Sequence, residues 1–295
     1  DGPTPDWVIA VVDQIAEGIE RAARTTFRAR LGVGSGRVEI GHNRRFVRAD
    51  GSVRMLWANP TRISTYPVDS EVLVLRIDDD SGGTRGILVG YSCHPVVFGP
   101  DNLLYSADFP GAMASFVRGE LSGEPVVAFV QGAPGDINPF LDKRELTEGA
   151  VQSRIEVGGK LGREVLRVAQ AIETRPSPES SIEAVRETMT FRSRAQPSAE
   201  TIDGGLTVLL LDDRYAFVGF PGEPFVEFQL ELKRWSDFDA AFFMGYTNGY
   251  VRYFPTIRAA VEGGYGADRQ VSIVEVGAGE RMLRRAKVRL LEMTG

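Results

Sequence analysis

The stretch EVLVLRIDDDSGGTRGILVGYS (residues 71–92) indicates how the chain begins to fold. Two runs rich in Val, Ile and Leu, EVLVLRID (71–78) and GILVGYS (86–92), flank the turn-forming residues DDDSGGT. Such runs, bounded by Gly, Asp and Ser, are typical of two strands joined as a β-hairpin. Because strands joined in this way are antiparallel, the stretch predicts a sheet that is not wholly parallel.

Helices and further strands are predicted on both sides of this hairpin. Helical spacing of apolar residues predicts helices over 7–27 and 153–173, after Pro110, from near Glu223, and at the end of the chain. Apolar runs predict strands at 37–42, 125–131, 206–212, 215–221 and 240–246, whereas 48–67, 175–181 and 247–268 are predicted to be mainly loops. The predicted class is therefore α/β, with mixed sheets flanked by helices in one domain over 1–295.

Composition and charge exclude several classes of protein. The chain has 295 residues, of which 43% are hydrophobic and 25% are charged, as in globular proteins. Its net charge is −6 and basic residues are interleaved with acidic ones, so we expect no nucleic-acid partner. No apolar run approaches the length of about 20 residues that a transmembrane helix needs.

The compartment and the oligomeric state stay open at this stage. The single cysteine, Cys93, has no partner for an internal disulfide, which slightly favours the cytoplasm, with secretion after processing as the alternative. The chain begins with Asp1 instead of Met, so we expect that a segment upstream has been removed.

Polar, turn-rich loops follow several of the predicted strands. Their sequences are CHPVVFGPDN (93–102), YSADFPG (105–111), GAPGDINP (132–139), PGEPF (221–225) and TNGYVRYFPT (247–256). Binding and catalytic residues are often carried on loops at the ends of strands. This arrangement predicts a functional site over one edge of a sheet.

The two histidines of the chain differ in their surroundings. His94 leaves a predicted strand just before Pro95, and it is interpreted as either a structural imidazole or a functional one. We interpret His42, which is followed by Asn43 and two arginines, as structural. Glu223 lies at a strand–helix junction, where it is either a metal ligand or a charge that stabilises the helix N-terminus. His94 and Glu223 alone are too few for a zinc site, which uses three or four protein ligands.

Common catalytic motifs are absent from the sequence. GVGSGR (32–37) has neither the spacing nor the preceding strand of a G-x-S-x-G nucleophile elbow, and it is not a dinucleotide-binding fingerprint. Cys93 and His94 are adjacent in a strand-like segment, so their side chains are expected to point to opposite faces. Zinc-finger and H-E-x-x-H spacings do not occur.

Five segments in order resemble the neutral/alkaline (non-lysosomal) ceramidase family. They are GRVEIGHNRR (36–45), CHPVVFGPDNLLYSADFPGAM (93–113), VQGAPGDINP (130–139), FPGEPF (220–225) and GYTNGYVRYFPT…EGGYG (245–266). None of these motifs is decisive alone, but together they cover about 230 residues. The resemblance implies the fold of the ceramidase catalytic domain and the activity of a zinc-dependent amide hydrolase.

The resemblance also implies roles for individual residues. His94, Glu223 and Tyr253 match zinc ligands of the family, and Tyr265 matches the phenol that stabilises the oxyanion of the tetrahedral intermediate. In such a centre zinc polarises the carbonyl group and acidifies a water molecule, and a neutral phenol donates to developing negative charge. Asp136 is expected to shape the catalytic site.

The sequence departs from the family pattern at two places that bear on chemistry. The family has a further zinc histidine in an H-x-H segment, which we expect to lie upstream of this chain. Asn138 stands where the family has a serine, and an amide cannot act as a nucleophile, so attack by metal-activated water is expected. Arg44, Ser106 and Asp108 are candidates for substrate binding. The family's C-terminal immunoglobulin-like domain is not expected here.

These observations predict a zinc-dependent hydrolase that cleaves an amide (N-acyl) or ester bond in a small-molecule or lipid-like substrate by metal-activated water. One zinc ion is expected. Two alternatives stay open: an incomplete, non-catalytic family member that acts as a binding protein, and a serine-dependent esterase that uses Ser106 with His94.

Overall fold

The computed structural model describes residues 4–176, 181–194 and 201–295. In these residues the helices are α1 (Asp6–Arg24), α2 (Asp108–Glu120), α3 (Glu148–Ala171), α4 (Val226–Trp235), α5 (Ile257–Glu262) and α6 (Ala278–Thr294). The larger sheets contain β1 (Ala29–Arg37), β5 (Glu71–Asp79), β6 (Thr84–Tyr91), β7 (Val126–Gln131), β9 (Arg175–Pro176), β10 (Ile182–Arg192), β11 (Thr201–Leu211), β12 (Tyr215–Gly219) and β14 (Ala240–Met244). Three short pairs are formed by β2 (Gly41–Asn43) with β8 (Ile137–Pro139), β3 (Arg45–Val47) with β4 (Val53–Met55), and β13 (Glu223–Pro224) with β15 (Tyr253–Phe254).

Both larger sheets are mixed, as the sequence predicts. The first has the strand order β7-β6-β5-β1-β9, and the second has the order β10-β11-β12-β14. The predicted hairpin is present, because β5 pairs antiparallel with β6. Each sheet also contains one parallel pair, β6 with β7 and β12 with β14. The α/β class with mixed sheets and flanking helices is therefore confirmed.

The two sheets pack face to face, and helices cover their outer faces. Along β5, Val72 and Val74 face α2 and α3, whereas Leu73 and Leu75 face the second sheet. Phe217 and Phe242, on neighbouring strands of the second sheet, both face the layer between the sheets, where their rings stack with centroids 4.8 Å apart. On the outer face of the second sheet, α6 packs against β11. Because β5 is buried on both faces, its sequence is a continuous apolar run instead of an alternating one.

The strand predicted at 37–42 is wrong in its position. β1 ends at Arg37 and β2 begins at Gly41, so the segment between them belongs to neither strand. The longer strand was not recognised because glycines replace the β-branched residues that mark a strand. A Cβ atom at Gly32 would lie only 2.5 Å from Cγ2 of Ile172, so the close approach of the segment after α3 requires a residue without a side chain.

Several predicted boundaries also shift. α3 begins at Glu148, five residues before the predicted start, where the Thr147 side chain accepts a hydrogen bond from the backbone of Ala150 as an N-cap. α4 begins at Val226, so Glu223 lies in β13 instead of in the helix. The predicted loop 247–268 contains β15 and α5, and residues 177–180 of the predicted loop 175–181 lie outside the described residues.

Helix α1 contributes no buried side chain to either sheet layer. Its apolar residues, among them Trp7, Val12, Ile15 and Ile19, are exposed. Among the helices in the described ranges, none combines the length and the apolar character that crossing a membrane requires.

The parallel pairs bring four strand ends to one place. β6 and β7 end side by side, as do β12 and β14, and the backbone N–H of Gly245 donates to the carbonyl oxygen of Gln131 across the two sheets. The loops that leave these ends therefore meet. This is the edge at which the sequence predicts a functional site.

Candidate active site

A buried histidine and a buried glutamate from different sheets meet at this edge. His94 follows β6 of the first sheet, and Glu223 follows β12 of the second. The distance from His94 Nε2 to Glu223 Oε2 is 2.7 Å, and the two residues are only 6% and 5% exposed. The close approach of the chain that carries Glu223 depends on Gly222, because a Cβ atom there would lie 2.2 Å from the carbonyl oxygen of Arg252.

Both ring nitrogens of His94 face oxygen atoms. Nδ1 lies 2.9 Å from the carbonyl oxygen of Ile137, which can only accept, so Nδ1 carries a proton. Nε2 then faces the carboxylate of Glu223 at hydrogen-bond distance, so a proton lies between these two atoms. The backbone carbonyl fixes the orientation of the ring, as in histidines that bind metals through the opposite nitrogen.

Two phenols reach the carboxylate of Glu223. The hydroxyl of Tyr250 donates to Oε1 at 2.5 Å, and Tyr253, whose backbone pairs with that of Glu223, also interacts with the carboxylate. Burial alone would raise the pKa of Glu223, but hydrogen bonds and the charge of His94 outweigh it and hold the pKa below its ordinary value. Burial raises the pKa of Tyr253 well above the ordinary range, with Glu223 adding to the rise and Arg44 opposing it. Tyr253 is therefore neutral at physiological pH.

The guanidinium of Arg44 is enclosed by aromatic rings beside this pair. Its carbon lies 5.5 Å from the ring centres of Trp57 and Tyr253 and 5.0 Å from that of Tyr265. Nη1 donates to Oδ1 of Asn138 at 3.2 Å, and Nη2 donates to a backbone carbonyl at 2.6 Å. A cation held against aromatic faces in this way has a fixed position.

Asn138 and Asp136 lie on the buried side of the same loop. The amide of Asn138 is held at both ends, because its oxygen accepts from Arg44 and its nitrogen donates to Asp142 Oδ2 at 2.6 Å. Asp136 accepts from the backbone N–H of Val226, the first residue of α4, and from the side chain of Asn43. Burial raises the pKa of Asp136 to about 6, against the opposing effect of these hydrogen bonds. Asp136 thus joins the first half of the molecule to a helix of the second.

Ser106 and Asp108 make local contacts at the start of α2. The hydroxyl of Ser106 accepts from the backbone N–H of Asp108, and the carboxylate of Asp108 accepts from the backbone N–H groups of Phe98 and Phe109. Both ring nitrogens of His94 have partners other than Ser106. The predicted substrate-binding role of these two residues stays a prediction.

Other site residues were not predicted from the sequence. The sequence predicts Tyr253 as a site residue but not Tyr250, although both lie in the same GYVRY stretch (249–253). Trp57 was assigned to a loop, and it lies between Arg44 and Lys143, whose Nζ is 4.3 Å from the indole ring centre. Asp142 follows the GDINP motif and carries no pattern that marks it as the partner of Asn138.

The donor atoms at this site fit part of a zinc centre. An imidazole nitrogen and a carboxylate are ordinary zinc ligands, and the adjacent phenol of Tyr253 is a third oxygen donor. Within residues 4–176, 181–194 and 201–295, no group of three or more His, Cys, Asp and Glu side chains could hold a metal ion. Zinc takes four ligands, so a complete donor set requires at least one more.

The fold is similar to that of two solved ceramidase structures. One is neutral ceramidase from Pseudomonas aeruginosa, with a TM-score of 0.73 and 14% identity, covering 97% of this chain and 55% of that chain. The other is a ceramidase complexed with C2, with a TM-score of 0.74 and 14% identity, covering 95% of this chain and 56% of that chain. This chain therefore spans a little more than half the length of these neighbours, and at this identity the likeness establishes the fold. The resemblance indicated by the motifs is confirmed at that level.

No protein-family model matches the sequence, and no curated protein sequence matches it either.

Proposed function

We propose that this chain hydrolyses the amide bond of an N-acylated, lipid-like molecule at the centre formed by His94 and Glu223. The observation that most supports this proposal is the buried imidazole–carboxylate pair, with phenols and a guanidinium beside it, at the strand ends of a ceramidase-like fold. The sequence motifs that resemble the ceramidase family include every residue to which we assign a role below.

Zinc is the cofactor proposed for this centre. His94 through Nε2, Glu223 through its carboxylate and Tyr253 through its phenol would hold the ion, and a further donor would complete the set. When bound, zinc supplies Lewis acidity toward the scissile carbonyl group and toward water. The carbonyl of Ile137 keeps the proton of His94 on Nδ1, so that Nε2 is the nitrogen directed at Glu223.

The remaining residues bind and orient the reacting groups. Tyr265 donates a hydrogen bond to the oxygen on which negative charge develops, and Arg44, 5.0 Å from the Tyr265 ring, adds positive potential there. Asn138 cannot attack a carbonyl group itself, but its amide can orient the attacking water. Asp136 supports the loop that carries Asn138.

The segment that connects His94 to α2 carries exposed apolar side chains, which favour an apolar substrate. Leu103, Leu104 and Tyr105, which directly precede Ser106, are among the most exposed apolar residues of the described chain. Exposed apolar groups in the same connecting segment as a polar site residue suit a molecule with a polar amide and a long acyl chain. In this arrangement Ser106 and Asp108 would lie along the path of the substrate.

The test is turnover of a panel of N-acyl compounds of increasing chain length by the purified chain, with and without added Zn²⁺. We expect amide hydrolysis that requires Zn²⁺, and we expect Tyr265→Phe to lower kcat/KM about 100-fold while the zinc dissociation constant is unchanged. Tyr253→Phe should weaken zinc binding instead. Tyr66→Phe is the matched control, since its ring is exposed and no role is assigned to it, and it should behave as the unaltered chain does.

Other outcomes would favour the alternatives. Binding of N-acyl compounds without any turnover, with or without Zn²⁺, would contradict the hydrolase and support a binding protein. Metal-independent cleavage of esters that Ser106→Ala abolishes would support the serine esterase. Full activity in Tyr265→Phe would contradict the role of Tyr265 as the oxyanion donor.

A further inference from the structure

The carboxylate of Glu223 has a different partner on each oxygen. Oε2 faces His94 at 2.7 Å, and Oε1 accepts the hydroxyl hydrogen of Tyr250 at 2.5 Å. Rotation of the carboxylate about its Cγ–Cδ bond would break both contacts, so the two partners together fix its orientation. Tyr250 therefore holds the carboxylate oxygen of Glu223 that does not face His94.

A strained loop delivers Tyr250 to this position. Three residues of the loop other than glycine, Tyr246, Asn248 and Arg252, have positive φ values of 55°, 56° and 66°. The loop is tied to the Glu223 segment on both sides of Tyr250, since Val251 N–H donates to Pro221 and Glu223 N–H donates to Arg252. Left-handed backbone at residues with side chains persists only where surrounding contacts enforce it, and it is concentrated at functional sites.

The surroundings of Tyr250 keep its hydroxyl a donor while leaving the ring accessible. The residue is 57% exposed, and its ring stacks on that of Tyr246 with centroids 5.9 Å apart and an interplanar angle of 15°. Because the hydroxyl oxygen of Tyr250 lies 2.5 Å from a carboxylate oxygen, which accepts, the phenol is the donor of this hydrogen bond.

We infer that Tyr250 is a positioning residue of the active site, which fixes Glu223 so that a single oxygen faces His94. This inference rests on the proposed function for its catalytic consequence, but its structural part concerns the free protein alone. Groups that orient a ligand from outside contribute about 10- to 100-fold to metal affinity or activity. Tyr250 makes no stabilising contribution to the buried cores, because most of its surface is exposed.

The test compares Tyr250→Phe with Tyr246→Phe, a matched control that removes a hydroxyl from the stacked neighbour in the same loop. The first readout is the ring resonances of the histidines in the metal-free protein. The chain has only two histidines, so His42, whose Nε2 bonds the carbonyl of Leu56, serves as the internal reference. In Tyr250→Phe the Nε2 resonance of His94 should shift and broaden, whereas that of His42 stays in place and Tyr246→Phe changes neither.

The second readout uses Zn²⁺ alone and an N-acyl substrate. Tyr250→Phe should raise the Zn²⁺ dissociation constant and lower kcat about tenfold each, with KM and the midpoint of thermal unfolding nearly unchanged. An unmoved His94 resonance in Tyr250→Phe overturns the inference even if the protein is an active hydrolase. A shifted resonance in a protein that hydrolyses no substrate supports the positioning role and overturns the proposed function instead.

Discussion

The first-sheet half of the molecule and the second-sheet half hold their site residues in different ways. His94, Asp136 and Asn138 belong to the first half, and they are buried and held by backbone carbonyls, backbone N–H groups or buried side chains. Tyr250 and Tyr265 belong to the second half, and their rings remain partly exposed.

We call His94, Asp136 and Asn138 the fixed frame of the site, and Tyr250 and Tyr265 its adjustable donors. Backbone groups have no rotamers, so side chains that are hydrogen-bonded to them are held in one arrangement in the first half. The phenols are carried by a loop with left-handed residues, in which small shifts of the backbone move the hydroxyl groups. Glu223, in β13, connects the two groups: its Oε2 faces His94 of the fixed frame, and its Oε1 faces Tyr250 of the loop.

The largest effect is expected where the two halves meet. Glu223→Gln keeps the shape of the side chain but removes its negative charge, so the proposed centre loses the carboxylate that faces His94. We expect kcat/KM for N-acyl substrates to fall about 1000-fold. Glu231→Gln, which alters an exposed glutamate paired with Lys287 on the outer surface, is the control. Retention of more than a tenth of the activity in Glu223→Gln would show that the two halves do not share a charged centre.

A second prediction concerns Asp136, by which the frame is joined to α4. Because its pKa in the folded protein is about 6, above the value of 3.8 for a free aspartate, folding favours the protonated form. The stability from this group is therefore complete below about pH 4 and is lost as the pH rises through 6, by up to about 3 kcal/mol.

Urea unfolding at pH 4.5, 5.5 and 7 checks this prediction in the unaltered chain and in Asp136→Asn. The variant should lack that part of the pH dependence, so the difference in the free energy of unfolding between the two proteins should change with pH. A constant difference across this range would contradict the raised pKa.

The smallest effect sharpens the contrast between the frame and the loop. Asn138→Ala removes two buried hydrogen bonds, the one accepted from Arg44 Nη1 and the one donated to Asp142 Oδ2, and it should lower the free energy of unfolding by about 1–3 kcal/mol. Tyr250→Phe removes one hydrogen bond from a carboxylate that keeps His94 and Tyr253 as partners, so it should lower the free energy of unfolding by less, below about 1 kcal/mol. Equal losses in denaturant unfolding would mean that the loop is as firmly built as the frame.

Local patterns in the sequence predicted much of the fold. The hairpin at 71–92, the strands at the sheet edge and the helices follow from apolar periodicity, which reflects burial directly. β1 escaped prediction because its glycines accommodate the segment after α3, which is distant in the chain. The start of α4 was placed too early because the PGEPF turn continues as a strand that pairs with β15.

The candidate site was predictable only in part. His94 and Glu223 stand out by their positions at strand ends, and Tyr253 by its match to a family motif; the structure brings the three together, and their proposed roles remain to be tested. Tyr250 and Asp142 could not be chosen, because their significance lies in hydrogen bonds to Glu223 and Asn138 that only the packed loops create. Side-chain pairing of this kind leaves no periodic signal in a sequence.

The contact between His94 and Glu223 joins residues that are 129 positions apart. Contacts over such long separations require the closure of a large loop, and proteins that depend on them fold slowly. The centre does not exist until both sheets have formed and docked. During refolding, recovery of the His94 signal should therefore lag behind the recovery of helical and sheet content, so that this one imidazole reports the completion of the native structure.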